Sequence, residues 1–356
     1  MSLSHNNSAK SCRRRHRQAT SQLETDSASS LDYRVLGQAA GYVKSQWPDA
    51  RPGAAVVLGS GWNNAVSAFS PYRQLDYADI PGLGSVTSIG HVGKLSLGEI
   101  AGVQTLIFQG RRHFYEGTGY TPMAVPIAIA KELGCSVMML CNATGGMAEK
   151  LKPGDLMLVS DHINTSGSNP LIGPHVTGWG ERFPDMSKVY DPALRELVRE
   201  AAKQCGLQLK EGVVQVLGGP PYETPAEVRF MHSRLGDVVE LQHRALLHLF
   251  ERAKEMKVPG LSQDMLSALQ AVSPEIFTEG RGDAAAMSIA NGEAIMANAW
   301  GLRVVAISCI ANFAAGRQDH PLTGPEVVKE LNKVMPNIVK LLTATWGLMA
   351  EREFGS

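Results

Sequence analysis

The sequence predicts one α/β domain in which helices flank a central, mixed β-sheet. From residue 31 onward, short β-branched runs of strand length alternate with stretches of helical periodicity, and this alternation is typical of α/β proteins. Residues 94–98 and 103–109 are predicted to form two strands around a glycine-containing turn. Because such a hairpin pairs in antiparallel fashion, we expect a mixed rather than an all-parallel sheet.

The strands are predicted from their apolar composition and from the glycine or polar residues that bound them. They cover residues 56–58, 94–98, 103–109, 137–140, 156–159, 213–217 and 304–310. Three helices are predicted from apolar periodicity and end signals. They cover residues 123–133, which stop at Gly134, residues 191–204, which are amphipathic, and a long segment that begins near Pro325.

Two segments differ from the rest of the domain, which we place at residues 31–356. Residues 1–30 carry a basic cluster at 13–17 and few apolar groups, so we expect a disordered tail. An organelle-targeting peptide is the alternative, although Glu24 and Asp26 count against it. Residues 237–282 hold two helix-like stretches and predict a helical insertion that forms a surface excursion, an oligomer contact or a lid.

Composition excludes several classes of partner. Lysine plus arginine number 34, as do aspartate plus glutamate, so no overall charge attracts nucleic acid or anionic lipid. The five cysteines show no zinc or disulfide spacing and fit a reducing, cytoplasmic location. No run of about 18 apolar residues predicts a membrane span, and no motif indicates a metal or an organic cofactor.

Five predicted strands end in small or polar residues, and the carboxyl ends of strands are where α/β sheets bind ligands. The five strand ends are Gly59-Ser60-Gly61, Gly110-Arg111-Arg112-His113, Asn142-Ala143-Thr144-Gly145-Gly146, Gly218-Gly219-Pro220-Pro221-Tyr222-Glu223 and Ala311-Asn312. This pattern predicts one shared pocket.

Two of these ends suggest an anion site. The backbone N–H groups and hydroxyl of Gly59-Ser60-Gly61 suit a phosphate, although a strand-to-helix turn without a ligand has the same sequence. Arg111 and His113 would point the same way on an extended segment. A guanidinium and an imidazole there can bind phosphate oxygens, or they can simply occupy a solvated turn.

The motifs together resemble the trimeric purine nucleoside phosphorylase family over about residues 31–350, apart from the insertion. The resemblance is carried by Gly59-Ser60-Gly61, Gly90-His91-Val92-Gly93, the segment 109–117, Asn142-Ala143-Thr144-Gly145-Gly146, Asp161-His162-Ile163-Asn164, Asn169-Pro170-Leu171, Tyr222-Glu223-Thr224, Met287-Ser288 and Ser308-Cys309-Ile310-Ala311-Asn312. It implies the nucleoside phosphorylase fold and a homotrimer. It also implies that the enzyme needs no cofactor and uses inorganic phosphate as a co-substrate.

The resemblance also implies residue roles. Its phosphate-binding set is Ser60, Arg111, His113, the backbone N–H of Ala143, and Ser288. Its nucleoside-binding set is Tyr115 and Met287 for the ribose, and Tyr222, Glu223 and Asn312 for the base. Asn312, Glu223 and His113 are the implied catalytic residues. His91 is either a mobile active-site-loop residue that contacts substrate or a turn histidine.

Base preference follows from these roles. An ionised Glu223 accepts from a purine N1–H, which hypoxanthine and guanine have and adenine lacks. Asn312 donates to N7 as negative charge collects on the departing base. We therefore expect phosphorolysis of inosine, guanosine and their deoxy forms. A 5′-methylthio-nucleoside phosphorylase and a catalytically silent nucleoside-binding paralogue are the alternatives.

The sequence departs from the family pattern near the ribose. Gly324 aligns with a histidine that commonly contacts the ribose 5′-hydroxyl, so that contact is weaker here or a larger group fits. After Ser288, the family's Thr-Val-Pro-Glu becomes Ile289-Ala290-Asn291-Gly292-Glu293, which is one residue longer.

Overall fold

The structure, a computed structural model, describes residues 30–88, 90–231, 285–286, 290–317 and 321–355. Their strands are β1 (Ala54–Leu58), β2 (Arg73–Asp76), β3 (Lys94–Ile100), β4 (Val103–Gln109), β5 (Val137–Gly146), β6 (Leu156–Asn164), β7 (Leu209–Val216), β8 (Ala285–Ala286) and β9 (Arg303–Phe313). Their longer helices are α1 (Tyr33–Gln46), α2 (Thr121–Glu132), α3 (Pro192–Gln204), α4 (Ala290–Ala299) and α5 (Gly324–Arg352).

The strands form one mixed sheet in the order β2-β3-β4-β1-β5-β8-β7-β6-β9. β1 pairs in parallel with β4 and β5, whereas β3 and β4 form the predicted antiparallel hairpin. A further parallel pairing joins β5 to β9. Because β9 also pairs with β6, the five strands β5, β8, β7, β6 and β9 close into a ring. The predicted mixed sheet is confirmed.

The core lies on both faces of this sheet. In β1, Ala55 and Val57 pack into a cluster with α1, α2 and α4, whereas Val56 and Leu58 pack into a second cluster with α3 and α5. All five residues of β1 are buried. A strand covered on both faces reads as a continuous apolar run, which is why this strand was predictable.

Helix termini follow local hydrogen-bond chemistry. Asp191 is the N-cap of α3, and its carboxylate accepts from the backbone N–H of Leu194. Asp32 accepts in the same way at the start of α1. An N-cap aspartate satisfies N–H groups that have no partner within the helix. The predicted helix at 191–204 is therefore confirmed, with its first residue acting as the cap.

Several elements differ from the sequence prediction. β5 and β6 run past their apolar cores into polar residues, because β5 pairs with β9 along its whole length and β6 pairs with β7. α1, β2 and α4 were not predicted. Residues 1–29 and the predicted insertion at 237–282 lie outside the described residues. Within the described part of the chain, no helix has the length and apolar character needed to span a bilayer.

Two glycines inside α1 allow a test of how backbone conformation affects the free energy of unfolding. A Cβ added at Gly37 or Gly41 would meet nothing within 4 Å, and glycine inside a helix costs about 0.5–1 kcal/mol relative to alanine. Gly37→Ala and Gly41→Ala should each raise the unfolding free energy by about that amount in urea titrations.

Gly102 provides the matched control, since a Cβ there also meets nothing within 4 Å but its φ is +78°. Gly102→Ala should lower stability, because alanine is strained in the left-handed region. Equal effects at all three positions would contradict this account.

Candidate active site

The five polar strand ends meet in one cavity of about 410 Å³. β1, β4, β5 and β9 are connected by parallel pairings, so their carboxyl ends lie along the same edge of the sheet. The predicted residues that line the cavity are Ser60, Arg111, His113, Tyr115, Ala143, Tyr222, Glu223 and Asn312. Met287 and Ser288 lie outside the described residues.

Arg111 is buried at the cavity wall and is held from two sides. Its Nη1 donates to Oε2 of Glu293 at 2.6 Å, and its Nη2 donates to the carbonyl of Cys141 at the end of the apolar part of β5. Arg111 is 2% exposed and Glu293 is fully buried. Burial raises the pKa of Glu293 above its ordinary value, and the neighbouring Arg111 opposes that rise and favours the ionised carboxylate.

Glycine after β1 makes room for this arrangement. A Cβ at Gly59 would lie 2.5 Å from Nη2 of Arg111 and 2.6 Å from the Cys141 carbonyl oxygen. Such distances are incompatible with a side chain, so the guanidinium can approach β5 only because residue 59 has none. Ser60, the next residue, then lines the cavity beside Arg111.

His91 contacts Ser60 but is not among the residues that line the cavity. Its Nε2 is 3.1 Å from Oγ of Ser60, and its Nδ1 lies 3.0 Å from the backbone carbonyl oxygen and 3.2 Å from the backbone nitrogen of Arg111. Burial, with a smaller effect of Arg111, lowers the pKa of His91 to about 4, so the ring is neutral at pH 7. With the proton on Nε2, His91 donates to Ser60 and the serine hydroxyl can donate into the cavity; with the proton on Nδ1, the ring donates to the Arg111 carbonyl and accepts from Ser60.

His113 is also neutral and firmly placed. Its ring stacks between His91, at 5.2 Å, and Tyr115, at 4.9 Å. Burial and then the charge of Arg111 lower the pKa of His113 to about 3. Glu116 accepts from the backbone N–H of His113 at 2.7 Å, which fixes the turn that carries the ring. The positive charge beside these rings therefore comes from Arg111.

Two of the three predicted base-binding residues, Glu223 and Asn312, bring a carboxyl group and an amide to the cavity wall. Within the described residues, Oε1 of Glu223 is buried without a partner, and burial raises the pKa of this carboxyl. Asn312 lies opposite Gly145 in the β5–β9 pairing. A Cβ added at Gly145 would be 2.9 Å from Oδ1 of Asn312. A buried, unpaired acceptor is costly, so a ligand N–H is its natural partner.

β5 sets the distance between the two groups of side chains. Arg111 contacts Cys141, whereas Asn312 lies beside Gly145, four residues further along the strand. At about 3.3 Å per residue this separation is about 13 Å. It leaves room for an anion and a sugar between a guanidinium and a base-binding amide.

Sequence analysis missed several residues of the site. Thr87 and Ser88 line the cavity from a loop without a periodic pattern, and Val327 and Val328 reach it from α5 beside Gly324. Glu293 stood out in the sequence only as the last residue of the segment after Ser288, which is one residue longer than in the family pattern. Nothing local to it indicates a partner 182 positions away, although a carboxylate among the buried residues of a helix is itself a signal of an ion pair.

The buried pair predicts a large effect on stability. Glu293→Ala leaves the Arg111 guanidinium buried without its counter-ion, a change that costs about 3–5 kcal/mol. Urea titration should show this loss, and added phosphate should restore part of it by supplying an anion to Arg111.

Glu330→Ala is the control, because Glu330 pairs with Lys333 on the surface at 2.6 Å with the lysine 57% exposed. Exposed pairs contribute about 0–1 kcal/mol. A loss for Glu293→Ala no larger than that for Glu330→Ala would mean that the buried pair is not needed.

Proteins of known function resemble this chain along most of its length. Residues 54–346 match the sequence model of the Phosphorylase superfamily. Purine nucleoside phosphorylase 1 of Geobacillus stearothermophilus is 35% identical over 317 residues, which cover 89% of this chain and 98% of that relative. Purine nucleoside phosphorylase 1 of Bacillus subtilis (strain 168) is 36% identical over 309 residues, which cover 87% and 96%.

Solved structures agree with this relationship. Isoform 2 of purine nucleoside phosphorylase from Schistosoma mansoni, in complex with cytosine and ribose-1-phosphate, is 27% identical with a TM-score of 0.69, covering 90% of this chain and 98% of that one. A Schistosoma mansoni purine nucleoside phosphorylase with adenosine has a TM-score of 0.70 at 24% identity and the same coverage, which supports the fold. The chain belongs to the purine nucleoside phosphorylase family of pentosyltransferases, within the Phosphorylase superfamily.

Proposed function

We propose that this enzyme phosphorolyses 6-oxopurine nucleosides, namely inosine, guanosine and their deoxy forms, to free base and (deoxy)ribose 1-phosphate. The observation that carries the proposal is the shared cavity, in which Arg111, His113 and Ser60 accompany Glu223 and Asn312. The first three offer donors to phosphate, and the last two offer an acceptor and an amide to a purine.

In the proposed reaction, bound phosphate attacks the anomeric carbon as the bond to the purine breaks. Arg111 and the neutral donors His113 and Ser60 orient the phosphate, and positioning of this kind supplies much of the rate. The negative charge of phosphate stabilises the cationic sugar of the transition state. The separation of about 13 Å along β5, from Cys141 beside Arg111 to Gly145 beside Asn312, supports a sugar held between the phosphate and the base.

The departing purine is negatively charged, and Asn312 and Glu223 would act on it. The Asn312 amide donates to N7, an interaction that strengthens as charge develops. The unpartnered Oε1 of Glu223 accepts from N1–H of a 6-oxopurine. Adenine presents an acceptor at N1, and two facing acceptors in a buried site cost on the order of 1–3 kcal/mol or more.

A second candidate is a 5′-methylthio-nucleoside phosphorylase, and one feature favours it. Gly324, Val327 and Val328 line the cavity where α5 begins. The family resemblance aligns Gly324 with the histidine that contacts the 5′-hydroxyl. An apolar wall at this point suits a 5′-thioether, whereas Asn312 favours the 6-oxopurine reaction.

A substrate panel tests the proposal. Inosine, guanosine, adenosine and methylthioadenosine should each be incubated with the enzyme, with and without phosphate, while base release is measured. We expect release from inosine and guanosine that requires phosphate. Release confined to methylthioadenosine would support the second candidate, and saturable binding without turnover would indicate a silent paralogue.

Asn312→Ala should lower inosine turnover by about 10²-fold or more, the scale of losing one transition-state donor. Steady-state kinetics should show the loss in kcat, since the contact matters most as the base departs. Asn64→Ala is the control: Asn64 bonds Asn332 on the surface, and its removal should leave the rate unchanged. Equal rates for both variants would exclude Asn312 from the mechanism.

The homotrimeric state and the cytoplasmic location stay predictions. The first is supported by the family resemblance and the second by the cysteine pattern. Sedimentation of the purified chain measures the first directly.

A further inference from the structure

Ser88 lies between two residues of the proposed phosphate and ribose sites. Its Oγ is 2.9 Å from Nδ1 of His113 and 2.9 Å from the hydroxyl of Tyr115. All three side chains line the cavity. The inference below rests on the proposed function, in which His113 binds phosphate.

His113 can serve an anion only in one of its two neutral forms. A neutral imidazole has one N–H and one acceptor nitrogen, and the low pKa of His113 keeps the ring in that state. Since Nδ1 faces Ser88, the nitrogen left for a ligand is Nε2. An anion needs a donor, so Nε2 must carry the proton and Nδ1 must accept.

The hydroxyl groups can supply that arrangement. Ser88 has one hydrogen, so it can donate to only one of these two neighbours, and its lone pairs can accept from the other. When Tyr115 donates to Ser88 and Ser88 donates to Nδ1, the ring proton lies on Nε2. In the reverse direction Nδ1–H donates to Ser88, and Nε2 presents a lone pair that repels phosphate.

Glu116 is the competing group near this nitrogen. Its Oε1 lies 3.5 Å from Nδ1 and would favour a proton there. However, Oε1 already accepts from the backbone N–H of His113 at 2.7 Å, and Oε2 accepts from Nε of Arg112 at 2.6 Å. Ser88, at 2.9 Å, is the closer partner of Nδ1.

We propose that Ser88 is a positioning residue that makes His113 a donor to phosphate, through the chain Tyr115 O–H to Ser88 O–H to His113 Nδ1. Stacking on Tyr115 and His91 holds the ring plane, and Ser88 selects the tautomer. Partners that orient a histidine through its second nitrogen change affinity by about 10–100-fold in metal sites, and a neutral donor to phosphate falls at the lower end.

Kinetics provide the first test. Ser88→Ala should raise the KM for phosphate about tenfold, with little change in the KM for inosine. Ser88→Thr keeps the hydroxyl and should restore the phosphate KM. Ser85→Ala is the matched control, because Ser85 is exposed in the same loop and has no side-chain hydrogen bond within the described residues. Equal rises in both KM values, or no rescue by threonine, would overturn the proposal.

The tautomer provides the second test and does not depend on turnover. In protein with ¹⁵N-labelled histidine and saturating phosphate, we expect the His113 signals of a protonated Nε2 and an unprotonated Nδ1. Ser88→Ala should give a mixture of both tautomers. An unchanged tautomer in that variant would overturn the proposal even if inosine is phosphorolysed, whereas absence of phosphorolysis in the unmodified enzyme would overturn the proposed function instead.

Discussion

The buried guanidinium of Arg111 is the interaction on which the rest of the site depends. It joins three distant parts of the chain, because Glu293 lies in α4, Cys141 in β5, and its own backbone continues from β4. A charge out of water is tolerated only when it is paired and hydrogen-bonded, so these three elements must assemble together. The backbone of Arg111 also holds His91 and through it Ser60.

The residues around the proposed phosphate site differ in charge. Arg111 supplies the positive charge and Glu293 compensates it, while His91 and His113 stay neutral because both are buried near Arg111. A proposed phosphate would therefore be held by one shared charge and several neutral donors. A neutral group binds phosphate only when its proton lies on the atom that faces the anion. The hydroxyl groups that contact the two histidine rings therefore influence phosphate binding as much as the rings do.

Much of the architecture was available from sequence. β4 and α3 were predicted almost to the residue and β1 over its last three residues, because a doubly covered strand is continuously apolar and an amphipathic helix repeats along one face. The strand ends were correctly expected to share a pocket. α1 was not predicted, since Gly37 and Gly41 weaken its helical signal, and β2 alternates intermediate and exposed positions. The pairing of Arg111 with Glu293 depends on tertiary contact between distant segments, which no local pattern encodes.

The close packing at Gly59 has a consequence for variants at this position. The backbone N–H of Gly59 donates to the Cys141 carbonyl, the same oxygen that accepts from Arg111, and a Cβ at this position would collide with both partners. A substitution there would displace Arg111, a proposed phosphate ligand, although residue 59 itself is not among the residues that line the cavity. A search for inactivating variants confined to polar side chains would therefore overlook this position.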